Sequence, residues 1–368
     1  DNKRFQDFIA ETEKKLDMEI TVEKCPSNAD NRQAKISTIL ASGDQNIDLI
    51  SVNDEMISEF KHKGYLEPLE KNVMTEEVRD SFPQEYLESI CEENGHIYSV
   101  PFQMDIMMFW VNQELLKQAG LDEIKDTGDF DILQKSLKNS DQYAYGDAWE
   151  NTHVYNSLAQ FVNFWGGDYF DWTDPKTKDA ARYMKSMLDE KNTSPAQFVD
   201  QYEQMEEKFI RGKYGCVFMY TSALGTFLDA DVYGKNKIHM APLPVLHKKK
   251  ATNIATWQYV LNNASENKDA AVRFLQYAAG YEGSTEYAKI MKSYPARVDV
   301  IENEDIDLEG IDMIRKYLRE YTLNARPLCE NSMGAVSDMG KLFQGYVLGQ
   351  CEEDSFFEQA QNCINTYY

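Results

Sequence analysis

Gln103 and Asp105 stand at the head of the most apolar passage in the chain, YSVPFQMDIMMFWVNQELL (98–116). Pro101, Gln103, Asp105, Asn112 and Glu114 interrupt that passage too often for a membrane span, which takes roughly 20 nearly uncharged residues to cross about 30 Å. It reads instead as a core strand over 104–111, rich in Met, Ile, Phe, Trp and Val. Two polar residues two positions apart share one side of a strand, and burying them costs free energy unless each is hydrogen-bonded. A ligand would meet that need. Asn53, Asp54 and Glu55 pose a similar question, because they follow an apolar strand ending at Val52, at the carboxyl edge where open α/β sheets place ligands. The same residues would serve equally well as a helix N-cap.

Chemistry beyond binding lacks a pattern. Asp54 and Asp105 could in principle form the paired carboxylates of glycan cleavage, set about 5–10 Å apart, but no neighbouring sequence singles out an acid in an apolar pocket. GxSxG, HExxH and a Gly-rich phosphate loop are all missing from the sequence. The five histidines include no HxxxH and none beside a Cys, so neither a metal nor a cofactor is expected. The six cysteines, with no CxxC, read as free thiols, Cys351 and Cys363 being the one pair close enough to bridge.

At 368 residues and 42% hydrophobic content, the chain can fill about two cores. Sixty-two acidic against 38 basic residues give a net charge of −24, which would repel nucleic acid and favour a hydrated surface.

The elements that must position these residues follow from periodicity and punctuation. Phe5, Phe8, Ile9 and Leu16 share a helical face, and MEITVE (18–23) alternates like a strand. A helix over 32–40 stops at Ser42-Gly43-Asp44, and 47–52 is an apolar strand of the parallel-sheet kind. Asn94-Gly95 is a turn. Helices are predicted over 112–119, 174–190, 201–210 and 267–280, with Asp174 as N-cap and Pro175 in the first turn of the second. Strands are predicted over 216–220, 238–240 and 256–261, and His247 to Lys250 forms a basic surface loop. Strands alternating with helices argue for α/β layers around mainly parallel sheets.

In this order the motifs ILASGDQNIDLISVND, GYLEPL, NGHIYSVPF, FWVNQELLKQAGL, EEKFIRGKYGCVFMY, MAPLP, ASENKDAAVRFLQYAAGYEGSTEYAK and YPAR span most of the chain. The sequence resembles the extracellular solute-binding protein family 1, the sugar-binding subunits of ABC importers. It departs from the family pattern at its start, which falls within the family's first helix, and at DTGDFDILQKSL, which replaces a tryptophan-containing helix start.

The resemblance implies a two-lobed periplasmic-binding-protein-like fold of type II, with each lobe a mainly parallel sheet flanked by helices. The lobes would comprise 1–107 with 257–305, and 108–256 with 306–368, joined by crossing segments that act as a hinge. It implies a non-enzymatic carbohydrate-binding protein, monomeric, that holds an oligosaccharide between its lobes and delivers it to a membrane permease. It also implies export to the extracellular membrane face or periplasm, with a lipid anchor on a removed N-terminal segment. By the same resemblance the ligand residues are Asn53, Asp54, Glu55, Asp105, the loop of Trp149, Asn151 and His153 and the Tyr220-Thr221-Ser222 turn; Gln103 shares the strand side of Asp105, Trp257 reads equally as a stacking face or as hinge core, and Arg297 as a ligand contact or as the cap of a neighbouring helix. Two other functions compete with it: a glycoside hydrolase, and a receptor for polyamine-like cations that the acidic charge would attract.

Overall fold

The computed structural model describes residues 3–26, 29–138 and 140–368. The chain divides into two compact units, Asp1–Asp105 with Ala255–Ile311, and Ile106–Ile254 with Asp312–Tyr368. Its strands are β1 (Leu49–Asn53), β2 (Glu92–Glu93), β3 (His96–Ile97), β4 (Ser99–Asn112), β5 (Tyr143–Gly146), β6 (Tyr214–Tyr220), β7 (Ile238–Ala241), β8 (Ala251–Leu261) and β9 (Thr322–Ala325).

In the first unit β1 pairs antiparallel with β8 and places Asn53 opposite Trp257. The helix Asp54–His62 follows β1 directly and buries Met56, Ile57 and Phe60. Asn94 and Gly95 both have positive φ, as the tight turn joining β2 to β3 requires. The helix Lys3–Leu16 packs Phe8 edge-on against Tyr287 of the helix Tyr281–Met291, at 5.4 Å between ring centroids.

In the second unit β6 is buried along its whole length, pairing parallel with β5 and antiparallel with β4. Trp110 is fully enclosed, and its indole N–H is satisfied by the Met219 carbonyl at 2.9 Å. Asp174 accepts from the Lys176 amide and caps the helix Pro175–Asp189, as the sequence predicts. Asn112 caps the helix Gln113–Gln118 in the same way.

Three expectations change. MEITVE forms no strand, and Val22 is 52% exposed. Alternation alone cannot hold an extended segment that has no neighbouring strand to satisfy its amides and carbonyls. The sheets are mixed rather than mainly parallel, since β1–β8, β4–β6 and β4–β7 are antiparallel while β5–β6 and β8–β9 are parallel. Apolar runs show burial on both faces, which an antiparallel strand can also have. Finally, β8 begins five residues earlier than predicted, because Thr252 and Asn253 are buried and bonded rather than exposed. The six cysteines are free, and no described helix is long and apolar enough to cross a membrane.

Candidate functional site

The first unit brings Asn53, Glu55 and Trp257 together. Register sets Asn53 across from Trp257, and the Asn53 amide donates to Glu55 Oε2 at 2.9 Å. Asn53 sits at the N-cap position of the helix Asp54–His62, yet its side chain makes no capping bond. Its Oδ1 is buried without a hydrogen-bond partner, an uncompensated polar burial that costs free energy. Trp257 is half-buried, with the Arg32 guanidinium 5.4 Å from its ring centroid. Arg32 carries no local sequence signal and was not a candidate; only the fold brings the helix Ala29–Ser42 to this face.

Asp54 has a different place. It is 0% exposed and accepts a hydrogen bond from the Tyr86 hydroxyl at 3.2 Å, so it lies beneath the surface that Asn53 and Glu55 present.

Gln103 and Asp105 acquire a protein neighbour in Tyr287. The Tyr287 hydroxyl donates to Gln103 Oε1 at 2.6 Å. Burial pushes this phenol well above its ordinary range, and the Asp105 charge pushes it further in the same direction. Gln103 also forms an isolated bridge with Pro295. Asp105 is 6% exposed, at the last position of the unit's first segment.

Arg297 is occupied structurally. It donates to both carboxylate oxygens of Asp299, to the Ser81 hydroxyl and to the Ala279 carbonyl, all at 2.7–3.0 Å. Such a fork staples the segment after Pro295 to its surroundings.

In the second unit the turn after β6 and the loop after β5 converge. The Tyr220 hydroxyl donates to Asn156 Oδ1 at 2.9 Å, and the Asn156 amide donates to the His153 carbonyl at 3.3 Å. Tyr202 stacks on Tyr220 at 6.4 Å, and the Arg326 guanidinium lies 5.8 Å from the Tyr220 ring and 5.9 Å from that of Tyr155. Thr221 is buried and pairs with Ile106 through both its amide and its hydroxyl, whereas Ser222 is exposed. Tyr155, Asn156 and Tyr202 were missed as candidates, although Tyr155 and Asn156 directly follow the loop that was singled out.

Trp149 belongs to the core. It is 0% exposed, packed edge-on against Phe198 and Phe343 at 5.6 and 5.3 Å, and its N–H reaches Asp147 at 2.8 Å. No face of the indole is open for stacking. Asn151 and His153 are half-buried, and Asn151 Oδ1 lacks a partner. His153 Nδ1 lies 3.1 Å from Glu150 Oε2, and this bond, with those from Thr152, holds the Glu150 carboxyl down at about 2.

Aromatic faces flanked by amides and carboxylates can accept hydroxyls and cover C–H surface. Among the described residues no group of three or more His, Cys, Asp or Glu is placed to hold a metal ion.

A model of the bacterial extracellular solute-binding proteins matches residues 2–285. Among curated relatives, the probable amino-acid ABC transporter periplasmic-binding protein y4oP of Sinorhizobium fredii is 24% identical over 239 residues, covering 62% of this chain and 54% of the relative. A putative binding protein of Brucella abortus (strain 2308) is 23% identical over 196 residues, covering 49% of this chain and 46% of its own length. The chain spans about half the length of these curated relatives. Among solved structures, maltose-bound MalE3 of T. maritima has a TM-score of 0.82 at 16% identity, over 99% of this chain and 96% of that one. The GacH receptor of Streptomyces glaucescens also has a TM-score of 0.82, at 18% identity, over 100% and 96%. At these identities the likeness establishes the fold, α/β and two-lobed of the type II periplasmic-binding-protein kind.

Proposed function

The chain belongs to the bacterial extracellular solute-binding protein family, and from that premise we propose that it captures a carbohydrate, an oligosaccharide in particular, for an ABC importer. The observation that carries the reading is the half-buried Trp257 set across from Asn53, whose acceptor oxygen is unmet, with Glu55 beside it. An indole face buries the C–H patch of a pyranose at roughly 25 cal/mol per Å². The amide and carboxylate take its hydroxyls. Tyr220, Asn151, His153 and Ser222 would supply contacts from the second unit, with Gln103 and Asp105 near the point where the chain passes between units. Solved structures sharing this fold were obtained with maltose, α-D-tagatose, acarbose and D-mannitol, which supports a polyhydroxylated ligand.

Members of the family and the structural neighbours are binding proteins rather than enzymes. Capture would act through closure of the two units on ligand, recognised by a membrane permease at the extracellular face or in the periplasm, the protein working as a monomer held by a lipid anchor. Moving such an equilibrium from 1:99 to 99:1 takes roughly 5.5 kcal/mol of contacts made only in the closed state. Two charge-assisted hydrogen bonds, at about 1.5–3 kcal/mol each, supply much of it.

The test is a thermal-shift screen against mono- and oligosaccharides, amino acids and spermidine. A ligand at 100 times its Kd adds about 2.7 kcal/mol of stability. If no sugar moves the melting point while spermidine does so in a salt-sensitive manner, the carbohydrate reading falls to the cation reading, which the net charge of −24 favours.

A further inference from the structure

We infer that Tyr86 is the positioning residue of the first unit's half of the site, an inference that rests on the carbohydrate reading for its functional consequence. Its ring is 3% exposed, and its hydroxyl meets three side chains: Asp54 Oδ2 at 3.2 Å, Thr256 Oγ1 at 2.6 Å and Gln258 Nε2 at 3.0 Å. These partners bracket the candidate contacts. Asp54 lies between Asn53 and Glu55, while Thr256 and Gln258 flank Trp257 along β8. Successive strand residues alternate faces, so Thr256 and Gln258 point into the core, both buried, while Trp257 points the other way, half-buried.

The direction of the bonds is fixed by chemistry. Gln258 Oε1 accepts from the Ser99 hydroxyl and from the Cys91 thiol at 3.2 Å, so the amide must present its N–H to Tyr86. The phenol oxygen accepts there and its hydroxyl donates to Asp54 Oδ2, while either partner can donate in the 2.6 Å contact with the Thr256 hydroxyl. One hydroxyl thereby ties the start of the helix Asp54–His62 to the inner face of β8 from the short helix Gln84–Tyr86.

The test uses the full chain labelled with 5-fluorotryptophan. Its five tryptophans give five fluorine resonances, and Trp257→Phe assigns the relevant one. Tyr86→Phe is expected to shift the Trp257 resonance well beyond its linewidth while leaving those of Trp110, Trp149, Trp165 and Trp172 in place. Thr256→Val, which keeps the side-chain shape, is expected to move it in the same direction by less, and covers the case in which Tyr86→Phe fails to fold. A Trp257 resonance unmoved in every variant that folds overturns the inference. Maltose titrated into each protein reads the functional consequence, an expected fall in affinity of about tenfold in Tyr86→Phe. Absence of maltose binding to the wild-type chain counts against the ligand reading, and the fluorine readout still decides the role of Tyr86.

Discussion

Replacing Asp147 by Ala should destabilise the second unit by about 3 kcal/mol, although the change removes a buried charge. Asp147 is 2% exposed and accepts from the Tyr145 hydroxyl at 2.7 Å, the Trp149 indole at 2.8 Å, the Ser157 hydroxyl at 2.6 Å and the Ala148 amide at 2.8 Å. Burial raises the carboxyl pKa above its ordinary 3.8, and the bonds from Ser157, Tyr145, Trp149 and Ala148 oppose that rise. Two effects therefore compete on removal: relief of carboxylate desolvation, and three side-chain donors left without partners or water. Each orphaned donor costs about 1–3 kcal/mol, so the three donors together cost at least about 3 kcal/mol, which is expected to outweigh the relief that the native bonds already oppose. Denaturant unfolding followed by near-ultraviolet circular dichroism reads the loss, which corresponds to a fall in Tm of roughly 6–12 °C for a unit of this size. A loss under about 1 kcal/mol would refute the reasoning, because it would mean that the network collapses around the gap or is reached by water. The pH dependence gives an independent sign. A carboxyl with a raised folded pKa is protonated more readily folded than unfolded, so its contribution is full below pH 3.8 and is lost as pH rises through the folded value. Asp147→Asn should abolish that slope.

Trp257→Ala should weaken carbohydrate binding at least tenfold by calorimetry with the fold retained by circular dichroism; unchanged affinity would remove it from the site. Asp105→Ala should also cost at least tenfold in affinity, and a loss of fold instead would show that its role is structural. His153→Ala should raise the Glu150 carboxyl from about 2 toward 4.5, followed by carbon-detected NMR titration. Because that carboxyl is depressed in the folded state, its stabilisation is full above pH 4.5 and lost as pH falls toward 2, and the variant should lose less over that window. Sugar affinity should vary little between about 50 and 500 mM salt, whereas a cation ligand would lose affinity steeply over the same range.

Much of the fold was legible because local rules governed it. Asp174-Pro175 and Asn94-Gly95 marked their boundaries through capping and turn chemistry that acts over a few residues. The motif order carried the family, and the apolar run from Met107 to Val111 carried the core strand. MEITVE misled because a strand exists only with a neighbour, and the parallel expectation misled because burial on both faces says nothing of the neighbour's direction.

For the candidate site, the sequence by itself determined which residues were chemically able to meet a ligand: the amides and carboxylates at Asn53 to Glu55 and at Gln103 and Asp105, and the five tryptophans. Tertiary structure decided which of them are placed to do so. It enclosed Trp149 between Phe198 and Phe343, committed Arg297 to Asp299 and sank Asp54 beneath Tyr86, while leaving Trp257 half-open opposite Asn53. Hydrogen-bonding capacity is a property of the side chain, but its availability depends on partners that lie as far away in sequence as Thr256 is from Tyr86, and no local pattern encodes that distance.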